Sequence, residues 1–415
     1  MFSRLIAAAL LVVVFASSVW ADKNWPEFRG PRGNGASDST GLPLTWSATQ
    51  NIRWKTDIRG KAWSSPVVWG DQIWVTTAPK DGKELFALGL DATTGKVEKD
   101  IKIFSIEKPQ YCIEKNSYAS PTPVLEEGRL YVHFGAHGTA CLDTKSGEIL
   151  WTRQDLECNH HRGPASSPVL WGDLLILTFV GFDVQYLVAL DKKTGKNVWK
   201  TDRNLTYKSS DGDIKKAYST PAIIEVGGKP LLVSPSAEAS VAYNPVDGKE
   251  VWRVRSGGMN ASSRPLFGNG LVYMSAPDGG FQMFAVKPDG SGDVTGTHVA
   301  WKQAKGIPKH ASHVLVGELL FMAADGGLIS CLNAMTGESL FQERVGGGGY
   351  SASPLYADGR IYFFSEDGKT PVIAASKEFK LLATNELPDG FMASPAVTGK
   401  ALVLRTKTAL YRVEE

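Results

Sequence analysis

Ala189 to Trp199 reads ALDKKTGKNVW, and this stretch decides the fold. Its short side chains and turn residues each have a physical task. The Asp191 carboxylate can accept bonds from turn amides, and Gly195 can take the positive φ that closes the turn. Trp199 then falls four residues past the glycine, at a fixed place on the strand that follows. The same arrangement returns in CLDTKSGEILW ending at Trp151, AYNPVDGKEVW ending at Trp252 and CLNAMTGESLF ending at Phe341. A unit that recurs in this way is sought before any single element is assigned.

The other half of the unit recurs as well. SSPVVWGDQIWV starts at Ser64, SSPVLWGDLLIL at Ser166, ASPLYADGRIYFF at Ala352 and ASPAVTGKALVL at Ala393. Each reads small residue, proline, apolar strand, Gly/Asp turn, apolar strand. We place the proline register at Pro66, Pro121, Pro168, Pro221, Pro265, His313, Pro354 and Pro395. Intervals of this size suit four short strands per unit, the blade of a β-propeller. Eight units over residues 51–415 predict an all-β, eight-bladed propeller of four-stranded blades. The last unit stops one strand short, and NIRWKTD (51–57) precedes the first. That segment, carrying Trp54, is expected to complete the eighth blade and close the ring without an exposed edge. Trp54, Trp151, Trp199, Trp252 and Phe341 are the expected docking aromatics.

Composition agrees. Of 415 residues, 43 are glycine, 43% are hydrophobic and only 21% are charged, which excludes a disordered chain. Forty-five basic against forty-three acidic residues leave +2, a poor balance for nonspecific nucleic-acid binding. The chain opens MFSR, runs apolar from Leu5 to Ala16, and reaches small residues at Val19 and Ala21. Residues 1–21 are therefore read as a cleaved signal peptide, 22–50 as an N-terminal arm and 51–415 as the propeller. The apolar run is short of the ~20 residues a spanning helix needs. A periplasmic or secreted monomer without a transmembrane anchor is expected. Export permits disulfides, and four cysteines allow three full pairings. Cys141 and Cys331 occupy equivalent places in units on opposite sides of the ring. Cys112 and Cys158 lie in neighbouring loops, so a Cys112–Cys158 disulfide is expected.

ALDKKTGKNVW fits the tryptophan-docking pattern A-x-D-x-x-T-G-K-x-x-W at every specified position, and the whole of 51–415 resembles the eight-bladed PQQ-like (quinoprotein-type) repeat family. WPEFRGPRGNG from Trp25 is similar to the N-terminal signature of exported planctomycete-type PQQ-like and BamB-like proteins. The resemblance implies the propeller fold; it specifies activity far less. The quinone-dependent dehydrogenases of that family resemble one another in an adjacent Cys-Cys pair, and no two cysteines are adjacent here. No cofactor is therefore expected, with pyrroloquinoline quinone and Ca²⁺ kept as the alternative. No metal site is expected.

In such a ring, loops entering the innermost strands share one face around the channel mouth. Reading three residues before each register proline gives Trp63, Tyr118, Ala165, Tyr218, Ser262, His310, Ser351 and Met392. The neighbouring loops add Lys115 and Asn116, then His160, His161 and Arg162, and an inner turn adds His137. Acids in other turns, Asp183, Asp278, Asp325, Glu366 and Asp367, are read as turn formers. Asn116, Tyr118, His137, His160, His161, Arg162, Tyr218 and His310 are the candidate ligand residues. The expected function is an exported, noncatalytic propeller that binds an envelope protein or glycan through this face. The alternatives are a PQQ-dependent oxidoreductase and a polysaccharide-acting enzyme working through His and Tyr.

Overall fold

A computed structural model describes residues 24–415; the expected signal peptide at 1–21 lies outside the described residues. Eight sheets follow one another around a ring. Blade 1 consists of Val67–Trp69, Gln72–Thr77, Glu84–Asp91 and Val97–Ser105, paired antiparallel from the channel outward. Blades 2 to 7 repeat this order. Blade 4 gains a fifth, two-residue strand, Gly292–Asp293, lent in parallel by the long turn of blade 5. In blade 8, Ile52–Asp57 pairs antiparallel with Ala409–Val413, so the first described strand completes the last blade. Closure is as the sequence requires.

The core lies between neighbouring blades. Trp74, Leu85 and Phe104 of blade 1 pack against Leu130, Val132 and Phe134 of blade 2, and comparable clusters join successive blades around the ring. One sheet face is useless alone; each becomes core only when its neighbour covers it.

The docking tryptophans join these faces. Trp151 Nε1 donates to the Lys192 carbonyl at 3.0 Å, Trp199 to Pro245 at 3.0 Å, and Trp252 to Pro288 at 3.0 Å. Trp54 donates across the closure to Ala92 at 3.1 Å. In each case the acceptor belongs to the next blade. Gly195 has φ +70°, and a Cβ there would meet the Trp151 ring at 2.7 Å, so the turn must carry glycine for the indole to lie flat on it. Trp151 and Phe341 are only half-buried, whereas Trp252 is fully enclosed. Trp301 also docks, on Ala334 at 2.9 Å, and the sequence reading did not include it. The blade 5 turn is lengthened by the residues that form the Gly292–Asp293 strand, which hides the glycine-to-tryptophan spacing.

One expectation requires correction. In blade 2 the innermost strand starts at Val124, so Pro123 and not Pro121 is the register proline. The segment SPTP offers both, and only the strand pairing selects the second. Residues 24–50, within the N-terminal arm, pack onto the propeller. Trp25 bridges to Val68 of blade 1, Leu125 N donates to the Pro26 carbonyl, and Ala36 bridges to Tyr356 of blade 7. Trp25, Leu42 and Trp46 are buried, with the Trp46 ring stacked on Tyr362. The segment crosses the channel at the end opposite the mouth.

Candidate functional site

With blade 2 in its true register, the residue three before each innermost strand's proline position is Trp63, Ser120, Ala165, Tyr218, Ser262, His310, Ser351 or Met392. All eight line one cavity of about 390 Å³ at the channel mouth. Every blade therefore contributes one side chain at the same height. Tyr118 drops out by the two-residue shift. Its ring instead packs against Gly82 and the edge of His137, and its hydroxyl donates to the Gln110 carbonyl at 2.8 Å.

Below that ring lies a second one, which the sequence reading did not identify. The residue directly before each proline position is Ser65, Thr122, Ser167, Thr220, Arg264, Ser312, Ser353 or Ser394, all buried. The Ser65 amide donates to the Thr122 hydroxyl, Thr122 to Ser167 and Ser167 to Thr220, each at 2.9 Å. Arg264 donates to Ser312, Ser312 to Ser353, Ser353 to Ser394, and Ser394 back to Ser65, at 2.9–3.1 Å. The signal was present in the sequence as the Ser or Thr before each proline. Its meaning needed the geometry: neighbouring innermost strands are too splayed to pair along their length, so a hydroxyl accepts the otherwise orphaned N–H. Arg264 interrupts the ring. Its Nη1 donates to the Phe28 carbonyl and its Nη2 to Glu27 Oε1 at 3.1 Å, and the Phe28 side chain lines the cavity from beneath.

The structure brings Asn116, Arg162, Tyr218 and His310 to this cavity, along with Lys115, Asn260, Asp278 and Lys309. Asn116 is fully engaged as a clamp: its Nδ2 donates to the Arg162 and Pro164 carbonyls at 2.9 and 3.2 Å, and its Oδ1 accepts from Ser117 N and Ser120 Oγ. Tyr218 is different. Its hydroxyl is buried without a partner, and burial raises its pKa above the ordinary phenol value. His310 is solvent-exposed by area but ringed by the cavity wall. That partial desolvation, followed by the Lys115 charge, holds its imidazole below the usual value. Glu366 ion-pairs Lys115 at 3.0 Å; burial pushes its carboxyl up, and Ser351 and Lys115 together pull it below the ordinary range. Asp278, read from sequence as a turn former, faces the cavity and accepts from Asn260 Nδ2 at 2.7 Å.

His137, His160 and His161 do not line the cavity. His137 Nε2 accepts from Gln110 N, and His160 Nε2 from Ala136 N, both at 3.1 Å. Burial depresses the His160 pKa to about 4, so its imidazole is a neutral structural acceptor. His161 stacks on Phe182 and faces Asp213 at 3.7 Å. The expected Cys112–Cys158 disulfide is not formed, and all four cysteines are free thiols. Cys112 Sγ lies against the Arg162 carbonyl, while Cys158 Sγ is buried beside His160 Nδ1 and beneath Gly181. The two loops are neighbours, but their thiols face different neighbours. Hydrogen bonds through Asn116 and Gln110 join the loops instead.

Residues 112–204, 183–293 and 290–379 match the sequence family described as outer membrane protein assembly factor BamB. Among curated relatives, the chain is 25% identical over 255 residues to the quinohemoprotein alcohol dehydrogenase ADH-IIG of Pseudomonas putida, covering 55% of this chain and 32% of that one. It is 24% identical over 251 residues to the tetrathionate hydrolase of Acidithiobacillus ferrooxidans, covering 58% and 48%. The chain thus matches less than half the length of either. The solved structure of BamB from Moraxella catarrhalis superimposes with a TM-score of 0.60 at 12% identity, over 87% of this chain and 99% of that one, a likeness of fold alone.

Proposed function

The chain belongs to the PQQ-like β-propeller repeat family, and on that premise we propose that it is a noncatalytic propeller of the cell envelope that binds a protein or glycan partner at its channel mouth. One observation carries the reading: a single cavity takes one side chain from each of eight blades and is floored by Phe28 of the N-terminal segment. A concave site that mixes Trp63, Ile113 and Met392 with Tyr218, Asn260, Asp278 and two lysines suits a ligand bound by shape and hydrogen bonds.

The residues present do not fit a calcium-bound quinone. Asp278 is the one carboxylate in the cavity lining, and it already accepts from Asn260. Among the described residues no cluster of three or more His, Cys, Asp or Glu could hold a metal ion. The cysteines lie outside the lining and apart from one another. No redox step is assigned to the site. No helix among the described residues is long and apolar enough to cross a membrane.

The test fills the cavity. Ala165→Trp places an indole on the wall beside Tyr218 without touching an interblade cluster. Capture of envelope proteins and binding to a glycan array should fall at least tenfold with an unchanged melting temperature. Undiminished capture and array binding by a folded Ala165→Trp protein would refute the channel mouth as the binding site.

A further inference from the structure

We infer that the throat of this cavity receives an anionic oxygen group, the carboxylate of an acidic sugar at the end of a glycan chain; this rests on the binding role proposed above for the same cavity. The first observation is the polarity of the hydroxyl ring. Each of its seven hydroxyls accepts an amide hydrogen from the neighbouring blade. None donates to any acceptor in the described residues. Six of them line the cavity, leaving buried O–H groups whose hydrogens have only the channel to turn toward. A ring whose oxygens each already hold an amide hydrogen and whose donors are all free favours a group that accepts. The unpartnered Tyr218 hydroxyl adds a further donor above it.

The second observation is charge. Every fully buried ionisable acid or base of the Asp, Glu, Lys and Arg classes in the described residues is a cation. Three of these lie behind the ring, outside the cavity lining. Arg264 is the eighth member of the ring, Arg29 lies behind it with a bond to the His313 carbonyl, and Arg405 holds the Ser64 carbonyl one residue from the ring. Glu27 is the single carboxylate bonded to any of the three. Nε and Nη1 of Arg29 and Nε of Arg264 are buried with no partner. Three buried cations with one carboxylate among them leave a net positive charge behind the ring, and an oxyanion held at the ring would offset part of its cost.

The wall decides between a sugar and a peptide carrying the same carboxylate. A peptide end needs backbone groups to pair with its own amides. Here seven of the eight amides at the ring are already bonded to its hydroxyls. What remains is side-chain chemistry: the Trp63 face, the phenol of Tyr218, and the Asn260–Asp278 pair, groups that match ring carbons and hydroxyls.

Titration calorimetry of the mature chain tests this with trigalacturonate, its methyl ester, and a tripeptide with a free or amidated C-terminus. The acid should bind at least roughly tenfold more tightly than the ester, the difference that hydrogen bonds to a charged group bring. That gap should shrink in Ser353→Ala/Ser394→Ala. The wild-type comparison of acid with ester stands even if the variant does not fold. Equal affinity for acid and ester, tighter binding of the free-ended peptide, or no binding of either sugar would each overturn the inference. The binding role itself falls only if Ala165→Trp leaves partner capture intact, so the two failures are distinguishable.

Discussion

Replacing Trp46 with alanine measures whether the N-terminal segment is part of the propeller's core. From sequence, Trp46 lies in an arm ahead of the first blade. In the structure it is 3% exposed and stacks on Tyr362 at 6.2 Å with the rings 22° apart. Its backbone N–H donates to Asn385 Oδ1 at 2.8 Å, which fixes the segment on blade 7. It belongs to the cluster that also holds Trp54, Leu355 and Tyr411, spanning blades 7, 8 and 1. Truncating a buried tryptophan costs about 3–5 kcal/mol. Unfolding entropy of about 2.1 cal/mol/K per residue comes to roughly 0.8 kcal/mol/K for a chain of this length. Trp46→Ala should therefore melt about 4–6 °C below wild type in differential scanning calorimetry. Val198→Ala, on a side chain 52% exposed on an outer strand, is the control and should change stability by less than about 0.5 kcal/mol. A Trp46→Ala protein that melts within a degree of wild type would refute the packed segment.

Three further outcomes are expected. A chain that begins after Asp57 lacks the strand paired with Ala409–Val413 and should aggregate through that open edge, read as oligomer in size-exclusion chromatography; a monomeric, cooperatively folding product would show another route to closure. Thiol titration in denaturant should count four free cysteines, and a Cys112–Cys158 peptide in non-reducing mapping would contradict the structure. His133 and His160 are buried neutral, with burial as the main cause and pKa values pushed down to about 3 and about 4. The unfolded chain, with histidines near 6.5, binds more protons than the folded chain below that pH. Their stabilisation is thus complete above pH 6.5 and is lost as the pH falls toward 4, at roughly 1.4 kcal/mol per unit for each group. Urea midpoints should fall between pH 7 and pH 5, and His160→Gln should flatten that slope.

The repeat made the fold legible because its signals are local. A turn Asp or Asn, a glycine and a large aromatic act within eleven residues, and their spacing survives in four of the blades. Trp301 escaped because an inserted strand stretched that spacing. The cavity was half legible for a related reason. Counting back from a proline finds wall positions only if the proline is the right one, and SPTP misplaced blade 2 by two residues. That shift exchanged Ser120 for Tyr118. The histidines misled differently: His160 and His161 in one loop and His137 in an inner turn look chemical in sequence, yet two of the three are consumed as internal acceptors that hold neighbouring loops together. Nothing in the sequence placed Phe28 under the cavity, because that contact spans most of the chain.

The ring and the N-terminal segment depend on each other. A closed propeller must satisfy one inward amide per blade at the level where its innermost strands diverge, and seven blades do so with the next blade's hydroxyl. Blade 5 cannot supply that acceptor, because Arg264 stands in its place. Its guanidinium is too large and too charged to remain in the channel alone. It is received by the Phe28 carbonyl and by Glu27, with Gly33 leaving room beside it: a Cβ there would lie 2.4 Å from the guanidinium carbon. The segment that carries these partners is then bound to lie across the channel, and Phe28 becomes the floor of the cavity. One departure from the repeat thus turns an open tunnel into a blind pocket with a donor ring at its base. The repeat builds the ring; the site comes from the residue that breaks the repeat.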